Sequence, residues 1–231
     1  MLKEIWITRH GFREDWVNPT TVYPTGLTHD SPLSAEGLQQ AEELGLFLKD
    51  KSIDRIYSSP FYRVVQTIAP LAKTTGVPVY LDHCMAEWYG EASPQYLPPT
   101  NLDHLQSFFP EVAIQSSYNS SIELPEGPET VIQCHQRTQQ GLTRLIQQLD
   151  QQQDVSTILL AGHAATVITA VRALVGDPNV WVKSGTCSLA KLVRTSPQSW
   201  EWVLNGDCTH LSNGEQRAWM FKGDTPDYKI N

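Results

Sequence analysis

The chain has 231 residues, 40% hydrophobic and 18% charged, which excludes a disordered polymer and is long enough to bury a core without metal or disulfide staples. With 25 acidic against 17 basic residues the formal charge is −8, and with no basic run to offset it, direct nucleic-acid binding is not expected.

An apolar run over residues 4–8 reads as the first strand, and it leads into Arg9-His10-Gly11-Phe12-Arg13. Ser34 caps a helix running to about residue 50, with Leu38, Ala41, Leu44 and Leu48 on one face. Residues 54–57 form a short second strand, and Ser59-Pro60 reads as an N-cap followed by proline at the first helical position. The helix after it turns Phe61, Val64, Val65, Ile68 and Leu71 inward, and Pro70 kinks it or ends it early. Residues 77–81 are a third strand. From about 86 to 126, prolines at 94, 98, 99, 110, 125 and 128 break the chain and leave only a helix near 102–109, so this stretch reads as an irregular insertion over one end of the sheet, a lid. A glutamine-rich helix over about 129–152 presents a solvated polar face. Residues 155–161 are a continuous apolar run, as in a strand buried on both faces. Gly162-His163 ends it, a helix over 164–175 follows, and residues 187–193 and 200–204 are two further strands.

Four scattered cysteines, Cys84, Cys134, Cys187 and Cys208, form no C-x-x-C pair and read as reduced, mostly buried thiols of an intracellular protein. The first strand begins too close to Met1 for a secretory signal, and no apolar stretch has the length of a membrane span.

Strands alternating with helices give an α/β fold, a three-layer sandwich with a mostly parallel central sheet flanked by helices. His10 and His163 each fall just beyond the carboxyl end of a strand, where open α/β sheets bind ligands. Two histidines distant in sequence are thereby placed in one crevice. A histidine flanked by guanidiniums suits a phosphoryl group, since imidazole attacks phosphorus and arginine forks hold the oxygens. Arg63 falls in the first turn of its helix, where free N–H groups and the helix dipole favour an anion. The remaining histidines lack metal-ligand spacing, and no P-loop is present.

Taken in order, Arg9-His10-Gly11, Ser59-Pro60-x-x-Arg63-x-x-Gln66-Thr67, Glu87 and Gly162-His163-Ala164 resemble the successive signatures of the histidine phosphatase superfamily, its phosphoglycerate mutase-like branch 1, over residues 4 to about 206. The resemblance implies one phosphoglycerate mutase-like domain over residues 1–231, no metal or other cofactor, and transfer through phosphohistidine. It implies that His10 is the nucleophile, that Arg9, Arg63 and His163 complete the phosphate pocket, and that Glu87 is the proton donor. In those roles His10 has to be neutral, with its second nitrogen held, typically by a backbone carbonyl. Glu87 has to be protonated, which burial and a bound phosphate dianion favour. Arg13 stands where family mutases carry a small hydroxyl residue. As a further substrate-binding guanidinium it suits a phosphatase with an extended anionic or phosphotyrosine-like substrate better than a mutase. Phe12, Trp16, Trp88 and Tyr89 line an aromatic entrance or belong to the core.

A narrower resemblance rests on Arg9-His10-Gly11-Phe12-Arg13-x-x-Trp16, Ser59-Pro60-Phe61-Tyr62-Arg63, Glu87-Trp88-Tyr89, Gly185-x-Cys187-Ser188-Leu189 and Trp202-Val203-Leu204-Asn205-Gly206. These look like the phosphatase domain of the tau-type subunit of fungal transcription factor IIIC, and like its free-standing paralogue. The resemblance implies a phosphorylated small molecule or phosphoprotein as substrate. It implies a nuclear place among the other subunits of that factor, or else a cytoplasmic phosphatase. A weakly active docking subunit is the alternative reading, and a phosphoglycerate mutase is the poorer one.

Overall fold

Residues 1–90 and 97–222 are described in the computed structural model. The apolar runs build one sheet from β1 (Glu4–Arg9), β2 (Arg55–Ser58), β3 (Val79–Leu81), β4 (Thr157–Gly162), β5 (Leu189–Ser196) and β6 (Ser199–Asp207). The strand order is β3-β2-β4-β1-β5-β6, with the first four parallel and the last two antiparallel. The helices are α1 (Ala35–Leu48), α2 (Tyr62–Thr75), α3 (Leu102–Phe108), α4 (Val131–Asp150) and α5 (Ala164–Val175).

The central strands are apolar throughout because both faces are covered. Ile5, Ile7, Ile158 and Leu160 pack with Leu142, Leu145, Val167 and Val171 of α4 and α5. Trp6, Leu159 and Ala161 face the other way, onto Leu44, Leu48, Val65 and Ile68 of α1 and α2. The mostly parallel sandwich expected from sequence is therefore what forms, closed at one side by an antiparallel hairpin. Cys84, Cys134 and Cys187 are buried free thiols, and Cys208 is partly exposed.

Two local readings change, and one left open is narrowed. Leu38 is 45% exposed, whereas Gly37 and Gln40 join Ala41, Leu44 and Leu48 on the buried face of α1. The phase is set by contact with the Arg-His-Gly loop, because a Cβ on Gly37 would lie 2.1 Å from the Phe12 carbonyl oxygen. A Cβ on Gly11 would sit 2.8 Å from the Gly37 oxygen, so both positions need glycine for the loop to rest on the helix. Ser59 is not a helix cap: α2 begins at Tyr62 with Phe61 as its N-cap. Pro70 does not end α2, which runs on to Thr75 and a left-handed Gly76. Proline in a helix costs about 3 kcal/mol, but burial of Ile68 and Leu71 stabilises by about 1.5–3 kcal/mol each.

The glutamines of α4 at 133, 136, 139, 140, 147 and 148 are all exposed, as expected. In the irregular stretch, Val79 bridges Ile114 beside β3, and Leu105, Phe109 and Val112 enter the α1–α2 core. Pro94 lies outside the described residues.

Candidate active site

Parallel pairing of β1 with β4 puts Arg9 opposite Gly162, so the next residues, His10 and His163, leave the sheet side by side. The His10 N–H donates to the Gly162 carbonyl at 2.9 Å, and the two imidazoles lie 5.3 Å apart. His10 Nδ1–H donates to the Gly11 carbonyl at 2.8 Å, which leaves the Nε2 lone pair for attack. Burial, with Arg63, Arg9 and His163 beside it, pushes the His10 pKa well below its usual value. His10 therefore rests as the neutral imidazole. Its loop is tied down by neighbours: Thr67 Oγ1 accepts the Gly11 N–H at 3.0 Å, and Gln40 Oε1 accepts the Phe12 N–H at 3.0 Å.

Arg63 occupies the first turn of α2 and is buried. Its Nη1 donates to Asp30 Oδ1 at 3.1 Å and to the His29 carbonyl at 3.3 Å. Its Nη2 reaches Glu87 Oε2 at 2.8 Å. His163 Nδ1 lies 3.0 Å from the same oxygen, and its Nε2 lies 2.8 Å from Ser59 Oγ. The consistent tautomer is a neutral His163 whose Nδ1–H donates to Glu87 while Ser59 donates to Nε2. Burial drives the His163 pKa down to about 4 against the opposing pull of Glu87.

The groups around Glu87 oppose the protonated form that a donor role requires. Burial alone would raise its pKa, but His163, Arg63 and His10 override that and hold it well below the usual carboxylate range. With only protein groups around it, Glu87 is a carboxylate.

Arg9 Nη1 is anchored on the carbonyls of Ser184 at 2.8 Å and Arg217 at 2.6 Å. Burial lowers its pKa to about 10, which leaves it cationic at neutral pH. The Nε atoms of Arg9 and Arg63 are buried and have no hydrogen-bond partner among the described residues, donors suited to an anion's oxygens. Ala164 and Ala165, in the first turn of α5, line the same cleft and add free backbone N–H groups.

The matching family model describes the histidine phosphatase superfamily (branch 1) and covers residues 5–207. The chain belongs to this superfamily. Among curated relatives, the transcription factor tau 55 kDa subunit of Saccharomyces cerevisiae is 31% identical over 96% of this chain and 59% of its own length. The ecdysteroid-phosphate phosphatase of Drosophila melanogaster is 28% identical over 75% of this chain and 23% of its own length. The chain therefore spans less than two thirds of either relative. The crystal structure of a silkworm ecdysone phosphate phosphatase in complex with tungstate shares the fold, with a TM-score of 0.72 at 18% identity, over 88% of this chain and 93% of that one.

In this superfamily member the cleft holds about 470 Å³ and is lined by Arg9, His10, Arg13, Arg63 and Glu87, with Trp16, His29, Trp88, Tyr89 and Trp219 as an aromatic wall. Phe12 stands behind the wall, edge-on to Trp16 at 5.1 Å. Arg13 reaches the cleft, but Asp15 grips it through two hydrogen bonds, and its guanidinium lies 5.3 Å from the Trp16 ring. Sequence reading missed Asp30, Ser59 as the His163 partner, Thr67 as the Gly11 anchor, Trp219 and Arg217. Arg217 takes a positive φ of 51°, orients Arg9 through its carbonyl, and lays its own guanidinium 4.9 Å from the Trp16 ring.

Among the described residues, His10, Glu87 and His163 bring possible metal ligands within 4.8 Å of one another. Their donors fit a cation poorly. Arg63 already occupies the Glu87 oxygen at 2.8 Å, His163 Nε2 is bonded to Ser59, and Arg9 adds a second positive charge. Among the described residues no helix is long and apolar enough to cross a membrane.

Proposed function

We propose that this histidine phosphatase is a metal-independent phosphomonoesterase working through phosphohistidine on His10. The observation that carries it is the free Nε2 of a neutral, buried His10 in a cleft that Arg9 and Arg63, each with an unpaired Nε–H, also line. The substrate enters as the monoanion and passes its proton to Glu87; His10 Nε2 then bonds to phosphorus as the ester P–O bond breaks, and the leaving oxygen takes that proton from Glu87. Water then attacks phosphorus, Glu87 takes the water's proton, and the N–P bond breaks to release phosphate and neutral His10. Arg9, Arg63 and the α5 amides hold the equatorial oxygens, whose charge dominates a loose transition state, and His163 joins them through Nδ1–H once Glu87 turns to the leaving oxygen. The aromatic wall and Arg13 accommodate the leaving group, which favours a bulky or aryl phosphate over a small phosphoglycerate. Turnover of 4-nitrophenyl phosphate is expected to be the same with and without excess EDTA; loss of activity in EDTA, restored by a divalent metal, would overturn the metal-independent reading.

The pH dependence follows from the site's charges. His10 is unprotonated well below its usual pKa and Glu87 is ionised, so the leaving-group proton enters with the substrate monoanion, whose second pKa is about 6. The value of kcat/KM is expected to stay high at about pH 5 and to fall about tenfold per unit above the substrate's second pKa. A profile that rises from pH 5 to a plateau near neutrality would contradict this assignment.

A second reading is favoured by one observation, the 31% identity to the yeast transcription factor tau subunit across nearly the whole chain. In that reading the chain docks, in the nucleus, among other subunits of transcription factor IIIC, through protein contacts that suit its charge of −8. The His10→Ala variant separates the two: a docking role survives it and a catalytic role does not.

A further inference from the structure

Arg137 and Glu129 form a buried, two-pronged ion pair on the α4 side of the molecule, at 2.7 and 2.8 Å. Their side chains are 5% and 10% exposed, and neither lines the cleft. A buried pair of this kind gains little stability over well-packed apolar residues, so its other bonds indicate what it does. Arg137 Nη1 donates to the carbonyls of His83 at 2.8 Å and Cys84 at 3.4 Å, and Nη2 donates to that of Ala86 at 3.2 Å. The Glu129 N–H donates to the Tyr89 carbonyl at 2.9 Å, and its own carbonyl accepts Trp88 Nε1–H at 2.9 Å. The pair thus grips the chain on both sides of Glu87. Glu87 Oε1 in turn accepts the Trp88 N–H at 3.0 Å, so the carboxylate orientation follows the backbone that the pair holds.

We infer that Arg137 and Glu129 are positioning residues that aim Glu87 at the leaving-group oxygen. The inference rests on the reading of Glu87 as the proton donor. A residue that serves proton donation leaves a signature that a purely structural one does not: its loss harms substrates with poor leaving groups far more than those with good ones. Because kcat/KM reports the step in which the P–O bond breaks, it is the quantity to compare.

The experiment measures kcat/KM for benzyl phosphate, an alkyl ester, and for 4-nitrophenyl phosphate, an aryl ester of similar size with a far better leaving group. Glu87→Gln is expected to lower the benzyl phosphate value about 100-fold and the aryl value several-fold. The double variant Arg137→Met with Glu129→Met fills the core without an unpaired charge. It is expected to lose about tenfold on benzyl phosphate and threefold or less on the aryl ester, the scale of a small misplacement of one group. Glu129→Gln keeps its main-chain bonds to Trp88 and Tyr89, is expected to show a smaller loss of the same selectivity, and carries the test if the double variant does not fold. Equal loss on both substrates, or no loss, in the folded pair variants while Glu87→Gln remains selective would overturn the inference alone. Equal loss in Glu87→Gln itself would overturn the donor reading and the inference with it.

Discussion

His10→Ala is expected to lower kcat/KM for 4-nitrophenyl phosphate by at least about 10⁴-fold, because removing a nucleophile removes the covalent route and not one contact among many. The fold should survive. The lost side chain gives up its hydrogen bond to the Gly11 carbonyl, worth about 1 kcal/mol, and some burial. Gly11 and Phe12 keep their anchors on Thr67 and Gln40. Unchanged far-ultraviolet circular dichroism beside near-complete loss of turnover is the expected pair of results. Residual activity within tenfold of the parent would move the nucleophile elsewhere.

Arg63→Met is expected to be costly in two measurable ways. It removes the cation that links Asp30, which is fully buried, to Glu87 and His163. Burial already raises the Asp30 pKa, with Arg63 as its main opposing influence. Leaving that carboxylate without its partner is expected to cost about 3–5 kcal/mol in denaturant unfolding. Loss of the guanidinium charge and its free Nε–H at the phosphate is expected to lower kcat/KM by at least about 10³-fold. Adding Asp30→Asn to Arg63→Met separates the effects: stability should recover by about 1–3 kcal/mol while activity stays lost, since the asparagine no longer needs a counter-charge but nothing holds the oxygens. Recovery of both together would mean that Arg63 acts only as scaffold.

Much of this site was legible because it depends on strand ends. Two apolar runs followed by histidines, once read as parallel neighbours, place His10 beside His163 with no further information. Arg63 was legible for a similar reason, as a residue just inside a helix start. What the sequence hid are contacts with no local period. The phase of α1 is set by Gly37 against the Phe12 backbone, which Leu38 at helical spacing does not announce. Asp30, Arg137 and Glu129 act across long separations, and a charged residue in a polar stretch reads as a solvated face until its partner is found. Arg217 is visible only through its strained backbone and its carbonyl on Arg9. The charge of Glu87 without phosphate was not legible because burial and neighbouring cations act on it in opposite directions.

The central claim is that phosphate passes through His10. Rapid acid-free quenching of the enzyme during turnover of 4-nitrophenyl phosphate, followed by peptide mass spectrometry, tests it most directly. The expected result is an acid-labile, base-stable phosphoryl adduct on the peptide carrying His10, absent from His10→Ala. An adduct on another residue, or sustained turnover by His10→Ala, would contradict it.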